Sequence, residues 1–466
     1  MPTFGGLLSV ARSGLMASQA QIATASQNVT NAQTPGYSRQ RVTLTPSFPE
    51  VLPFGTFGTG VTVAGVVRMR DEIIDASYRR DAGNAGYDEE RRDALQAVET
   101  VLGEPSASGL ANTFDAFWSA WSDLSTNPES GAARSVVRQR GAEISNQLNL
   151  FGNQIEDART IARTKLLDTA SQVNSLSAQV ANINAQIVAA EAAGNQAPDL
   201  RDQRDGKVDE LASLIGATAY PQPDGSVNVN IGGDSLVDGA YFKPVRVQAK
   251  LNDPSQLGIA LGAVPPGGAP TETMYQIGGQ MAGTLDSYNT VYADAHRNLD
   301  AIATAIVTET NSRHRAGFVG GTGAGDFFDP SRTAARTIRL DASIVADVNR
   351  IAASGIANEA GDNTVAISLS RLRDTAVSVN GQSVSIGEGY RNVVAGIATR
   401  VNGANGAATA ARTLASQSDA RRDSVKGVSI DEEMVNLMKY QQSYAAAARL
   451  ISVVDELSQT LINLGR

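Results

Sequence analysis

The sequence predicts a mainly α protein with small β modules (α+β), in which long coiled-coil-like helices from both chain ends enclose nested domains. Three observations carry that expectation. Apolar residues recur at heptad spacing near both termini, helix-period patterning runs almost unbroken from about Ser130 to Ala193, and alternating β-branched stretches are short and bounded by Gly or Pro. At 466 residues the chain has room for about three domains and a sizeable core.

The first helix is read from Leu8, Ala11, Leu15, Ser18, Ile22, Ala25 and Val29, which step by three and four with only Ser18 off the apolar pattern. Thr34-Pro35-Gly36 ends that segment, because proline restricts the residue before it and lacks a donor. The period then changes to two: Arg41 to Thr45 and Val61 to Val67 read as strands. Helical pattern returns from about Asp71 to Leu102, breaks at Gly103 to Gly109, and resumes through Phe114, Phe117, Trp118, Trp121 and Leu124, an aromatic stripe expected in the core. The long segment that follows carries one extra four-residue step, from Ala162 to Leu166, a stutter that locally unwinds a supercoil.

A shorter helix runs through Leu200, Val208, Leu211 and Leu214, after which Pro221 to Gly225 opens a β-rich stretch. Val227 to Ile231 alternates, Gly232-Gly233-Asp234 supplies a hairpin turn, and glycine- and proline-rich chain from Gly258 to Pro270 is expected to close the module. Helix is expected again from Gly279 to Arg315 and from Thr364 to Arg373, a hairpin around Asn380-Gly381, and helix from Gly387 onward. The last segment mirrors the first: Ile430, Glu433, Leu437, Tyr440, Tyr444, Ala447, Ile451, Val454, Ser458 and Leu461 step by three and four. The economical division is 1–36 with 428–466 as a terminal helical domain, 37–217 with 271–427 as a helix-rich middle domain, and 218–270 as a small β module projecting outward.

Composition excludes several function classes. Lys plus Arg number 39 against 48 Asp plus Glu, a net charge of -9 with no basic block, so neither nucleic acid nor an anionic membrane is an expected partner. There is no cysteine, and two histidines carry all imidazole chemistry. Residues 1–25 contain one charge, Arg12, and lack the basic and apolar regions of a cleavable signal; no run reaches the 18 or so apolar residues of a membrane span. A soluble chain that does not use the general secretory route is expected.

No catalytic, metal or cofactor site is expected. The Gly320 to Gly325 tract yields no G-x-G-x-x-G and no Gly-Lys-Ser/Thr. His296 and His314 lack partner ligands and read as surface or hydrogen-bonded residues, and the carboxylates of Asp88 to Asp93 and Arg201 to Asp205 read as solvated faces or ion-pair networks. The sharper signal is neutrality: through Gly36 the polar side of the first helix is Ser, Thr, Gln and Asn apart from Arg12. Such a face suits a helix with neighbours on several sides, where an unpaired buried charge costs several kcal/mol. An ordinary intramolecular coiled coil with a weakly charged exterior is the alternative.

Asn28-Val29-Thr30-Asn31-Ala32-Gln33-Thr34-Pro35-Gly36-Tyr37-Ser38-Arg39-Gln40 resembles the N-terminal signature of bacterial flagellar rod, hook and hook-associated proteins, with Gln33 where Asn is usual. Gly427 to Tyr444 resembles the C-terminal signature of the family of the first hook-associated protein, the hook-filament junction. Asp199 to Asp205, Asn311 to Gly317, Gly325 to Phe328, Ile351 to Ser354 and Gly361 to Asn363 extend that likeness along the chain.

The resemblance implies a non-enzymatic subunit that polymerises as an adapter layer between hook and filament. It would be extracellular and exported through the flagellar apparatus without a cleaved signal. Implied partners are other copies, the hook protein, the next hook-associated protein and an export chaperone on the C-terminal helix. Leu8, Leu15, Ile22 and Val29 with Leu437, Tyr444, Ile451 and Leu461 are the expected assembly interface, and Asn31, Thr34, Pro35, Gly36 and Tyr37 the family motif. Only 22 residues separate Phe328 from Ile351, where longer relatives insert β domains, so a large outer domain is expected to be missing. Two other readings stay open: an axial scaffold carrying an extracellular enzyme within about 218–360, and a coiled-coil scaffold unrelated to motility.

Overall fold

The computed structural model describes residues 4–52, 55–106, 109–192, 194, 196–263 and 275–464, without the side chains of Phe4, Leu52, Leu461 and Leu464. The chain opens with α1 (Phe4–Thr30) and an antiparallel ribbon of β1 (Gln40–Pro46), β2 (Glu50–Leu52), β3 (Gly55–Phe57) and β4 (Val61–Arg68). β1 pairs with β4 through a bulge at Thr43/Leu44, and β2 with β3 forms the ribbon's tip.

Four helices follow: α2 (Glu72–Leu102), α3 (Leu110–Thr126), α4 (Gly131–Glu191) and α5 (Pro198–Ile215). Their ends are set locally. The Asp71 carboxylate accepts from the Ile73 and Ile74 amides to start α2, and Ser130 accepts from Ala133 to start α4. Gly103 and Gly216 end α2 and α5 in the left-handed conformation, at φ 56° and 69°.

Next come β5 (Thr218–Pro221), β6 (Val227–Ile231), β7 (Asp234–Asp238), β8 (Tyr241–Phe242), β9 (Val245–Ala249) and β10 (Leu257–Leu261). β5 to β8 form a four-stranded antiparallel sheet in chain order, and β9 pairs with β10. Gly258 therefore belongs to a strand and does not close the module: β10 is buried throughout, so its glycine supplies room in a packed strand instead of a turn. The rest of the expected closing segment, from 264, lies outside the described residues.

A π-helical turn, Ser287–Val291, joins α6 (Gly279–Asp286) to α7 (Tyr292–Arg315). Then follow β11 (Phe318–Val319), β12 (Thr322–Gly323), α8 (Ala342–Ala346), α9 (Thr364–Ser370), β13 (Val377–Val379), β14 (Gln382–Val384), α10 (Ile386–Lys426) and α11 (Ile430–Leu464). The chain is thus mainly helical with small antiparallel sheets. Gly320 lies in the β11–β12 turn at φ 61°, so the glycine tract serves a hairpin.

Among the described residues two cores form, and α4 belongs to both. Its first half, Val137 to Ala162, packs with Phe114, Phe117, Trp121, Phe327, Phe328 and Tyr390. Its second half, from Leu166, packs with α5, the β sheet and Met281 of α6. The stutter from Ala162 to Leu166 is the point at which one core hands the helix to the other. A pure heptad would keep one stripe on one partner; the extra residues rotate the stripe to a new one.

Helix-borne asparagines fasten extended chain to helices. Asn28, Asn174, Asn184, Asn289 and Asn311 each accept from the amide and donate to the carbonyl of one residue, respectively Gln40, Val245, Val227, Leu257 and Phe328. The side-chain amide stands in for a neighbouring strand's peptide, satisfying both backbone groups of a residue on the side that faces away from its paired strand.

Candidate assembly interface

The terminal helices α1 and α11 pack against each other along their length. The centre of the α1 seam is made of small residues: Ala11, Ser18 and Ala25 are buried, and a Cβ added at Gly14 would lie 3.6 Å from that of Ala447. Small side chains let the two backbones approach closely. The larger expected interface residues flank this line: Leu15, Ile22 and Val29 are half-buried and Leu8 is 45% exposed. On α11, Glu433, Ala447 and Val454 face inward, Leu437 and Ile451 are half-buried, and Tyr444 is 41% exposed. The Leu461 side chain lies outside the described residues. Ile430, Met434, Met438, Leu450, Val453 and Leu457 are about half exposed, as is Met16 on α1. At the ribbon tip Phe48 is 96% and Val51 80% exposed.

A buried polar node centred on Asn28 ties the helix pair to the body, beside a bond from the Val61 amide to the Ser13 hydroxyl at 3.2 Å. The Asn28 side-chain amide donates to the Gln40 carbonyl (2.9 Å) and to Glu433 (3.0 Å), while its oxygen accepts from the Gln40 amide (2.9 Å) and the Tyr37 hydroxyl (2.9 Å). Arg39 donates to Glu433 at 2.8 Å and to Glu432 at 3.0 Å. Burial, with Asp199, Asp202 and Glu433 nearby, pushes the Tyr37 phenol well above its ordinary pKa, so it remains a donor. Of the motif residues, Asn31 is half-buried and Thr34, Pro35 and Gly36 are exposed; Gly36 adopts φ 81°, which suits glycine. Thr34 donates to the Asn31 side chain at 3.2 Å, so this stretch is the turn that returns the chain to Asn28.

From the node a rail of carboxylates runs along α5. Asp199, Asp202, Asp205 and Asp209, spaced by three, three and four residues, share one helix face. Asp199 accepts from Gln40 (2.9 Å), and Asp202 from the Ser38 amide (2.9 Å), the Ser38 hydroxyl (2.6 Å) and Arg68 (2.7 Å). Asp205 accepts from Arg68 (2.8 Å), Arg70 (3.0 Å) and Arg204 (3.1 Å). These cations overcome the cost of burial and hold its carboxyl far below the usual range. Asp209 pairs with Arg79 (2.6 Å) and with Arg422, which also reaches Asp75 (3.0 Å) and lies over the Tyr78 ring. α10, α2, α5 and the start of β1 are thereby tied together.

Beside this rail a cavity of about 870 Å³ opens between α2, α5 and β5. Six arginines line it, but each already has a carboxylate: Arg68, Arg70 and Arg204 have Asp205, and Arg79 has Asp209. Arg80 has Asp81 and Arg201 has Glu191. Among the described residues no group of three or more His, Asp or Glu could hold a metal ion. His314 is fully buried, with Nδ1 2.8 Å from the Gly325 carbonyl and Nε2 accepting the Ala352 amide at 3.0 Å; it shapes a loop. His296 lies 3.1 Å from Glu156.

The sequence places Ala11, Ser18, Ala25 and Glu433 on the two seams, but they were not among the expected interface residues, and the rail as a connected object was not expected. Glu433 broke the heptad pattern, and that break was the available signal: a charge on an apolar seam needs a partner.

Comparison with known proteins matches these same regions. A model described as Flagella basal body rod protein matches residues 8–37, one described as Flagellar basal body rod FlgEFG protein C-terminal matches 424–464, and one described as Flagellar hook-associated protein FlgK helical domain matches 95–328. The chain is 31% identical to flagellar hook-associated protein 1 of Bacillus subtilis (strain 168), over 99% of this chain and 98% of that one. It belongs to the flagellar hook-associated protein 1 family. A more distant member, from Salmonella typhimurium, is 23% identical over 98% of this chain and 99% of its own. The solved structure titled as that of the flagellar hook junction protein FlgK from Burkholderia pseudomallei superposes with a TM-score of 0.66 at 16% identity. It covers 76% of this chain and all of its own, and shows the shared fold. The two terminal family models coincide with α1 and α11, the helices that meet at the Asn28 node.

Proposed function

We propose that this chain is a structural subunit of the bacterial flagellum, polymerising as an adapter layer at the junction between hook and filament. Supporting it are the family membership and one structural observation: a terminal helix pair that buries one seam, leaves a series of large apolar side chains half exposed, and is tied to the body at a buried polar node. Exposed apolar residues in such a series mark a contact surface, and a head-to-tail contact builds tubes.

In this reading Leu8, Leu15, Ile22, Val29, Leu437, Tyr444, Ile451 and Leu461 contribute to the inner helical layer, formed by 1–36 and 428–466. The middle domain (37–217 and 271–427) surrounds it, 218–270 projects outward, and a large outer domain is absent. The layer stacks on the hook protein on one side and the next hook-associated protein on the other. Export runs through the flagellar apparatus without a cleaved signal, with a chaperone on the C-terminal helix, and the terminal helices gain their full order on assembly, where the ordering entropy is met by new contacts. No catalytic step is involved.

Deleting the gene tests this: the expected cells carry hooks without attached filaments and release filament subunits into the medium. Removing residues 1–33 is expected to reproduce the defect while the two cores remain folded. Normal swimming after deletion would reject the proposal.

A further inference from the structure

Neighbouring copies must touch in the adapter layer, the reading on which this pairing depends, and the exposed side chains of α11 show where. α11 has three longitudinal faces. Glu433, Ala447 and Val454 form the face turned to α1. Ile430, Met434 and Met438, at four-residue steps, are 47%, 47% and 53% exposed near the N-terminal end; Leu450, Val453 and Leu457 are 49%, 49% and 47% exposed toward the other. At 3.6 residues per turn the two triplets are offset by roughly 130° around the axis and fall on opposite flanks of the buried face.

That offset decides the occupant. Two helices related by a two-fold axis in antiparallel array would need both triplets on one face, and a parallel two-fold pair would match each triplet with itself and leave the other bare. A heterologous contact covers both, because the right flank of one copy meets the left flank of the next, and it repeats without closing on itself. The segment between the triplets is uncharged from Tyr440 to Ala448 and carries the exposed Lys439 and Arg449 at its two ends; the pairing leaves those two cations at the solvent-facing rim, since burying them unpaired would cost several kcal/mol. The first triplet also flanks Glu433 of the polar node, continuous with the α1–α11 interface.

We propose that in the assembled layer the Ile430–Met434–Met438 patch of one copy packs against the Leu450–Val453–Leu457 patch of the next. Parallel copies are then staggered along the axis by about 29 Å, the rise over the roughly 19 residues between patch centres. The partner is a second copy of this chain.

Because the chain has no cysteine, disulfide trapping reads this contact directly. In cells lacking the native gene, Met438→Cys and Val453→Cys are expressed singly and together, and isolated flagella are oxidised and run without reductant. Disulfide-linked dimers of this chain are expected from the co-expressing cells, and monomers alone from either single strain. Filament-bearing cells that give dimers in a single strain, no dimer in the mixture, or a cross-link to a protein of different mass would overturn the pairing while leaving the adapter reading standing. Absence of any effect of gene deletion on filaments would instead remove the adapter reading itself. Should either cysteine block filament growth, Met438→Glu and Val453→Lys read the same contact: each alone is expected to abolish filaments and a single chain carrying both to restore them, and lack of restoration counts against the pairing.

Discussion

Asp205→Asn is the sharpest test of the ion-pair rail. Asp205 is buried and accepts from Arg68, Arg70 and Arg204 at 2.8, 3.0 and 3.1 Å. Asparagine keeps the shape and removes the charge, and its amide hydrogens point at guanidinium groups that can only donate. Removing one partner of a buried ion pair costs about 3–5 kcal/mol. Here Arg68 keeps Asp202 at 2.7 Å, Arg70 keeps Asp75 at 2.9 Å and Arg204 keeps the Gly225 carbonyl at 2.7 Å, so the lower end, about 3 kcal/mol, is expected at pH 7. For a folding unit of a few hundred residues that is a fall in Tm of about 6–12 °C, read by circular dichroism. The pH dependence gives a second readout. The folded carboxyl titrates well below the unfolded value because of its cations, so the unfolded chain binds the proton first as pH falls below about 4. Stability from this group is present above that pH and is lost below it. The variant lacks that component, so the gap between the two proteins narrows as pH drops from about 4 to 2.5. Equal stability at pH 7, or a gap that stays constant into acid, would refute the rail as a source of stability.

Other outcomes follow from the same structure. Asn28→Asp removes the donor to the Gln40 carbonyl and sets a second carboxylate beside Glu433; about 3 kcal/mol is expected to be lost at the node, read as about 100-fold faster trypsin cleavage after Arg39. His314 is buried and neutral, and burial depresses its pKa, so the unfolded chain gains a proton as pH falls below about 6.5 and stability declines from there. His314→Asn is expected to flatten that decline in urea titrations followed by fluorescence of Trp121, whose ring centroid is 6.3 Å away. Asn184→Asp takes the donor from the Val227 and Gly239 carbonyls and is expected to cost about 2–4 kcal/mol in urea unfolding; an unchanged midpoint would argue against the peptide-mimic role.

Much of the architecture was legible along the chain. The 61 residues of α4 were visible as period, and its ends as Ser130 and the glycine beyond Glu191, since helix period and caps are local properties. The Ala162–Leu166 stutter was legible as a break, but not as a boundary between two cores, because a stripe does not name the surface that covers it. Gly258 went the other way. Glycine on its own suggests a turn, and only the packing around β10 shows a strand.

The assembly face divides in the same manner. The sparse charge of α1 and the heptads of both ends announced helices with neighbours. They set Ala11, Ser18 and Ala25 on the seam beside the larger residues, but did not reveal that these three take its buried centre while Leu8 stays open, since close approach of two backbones selects small residues at the centre and displaces large ones to the flanks.

What the sequence by itself determined was period, breaks, charge balance and motif, all read within a few residues of one another. Only the tertiary structure decided partners. Asp205 meets Arg68 across 137 positions and Glu433 meets Asn28 across 405, and which of many similar carboxylates is buried against which guanidinium depends on how the helices close on each other, an arrangement set by the whole core and written at no single place in the chain.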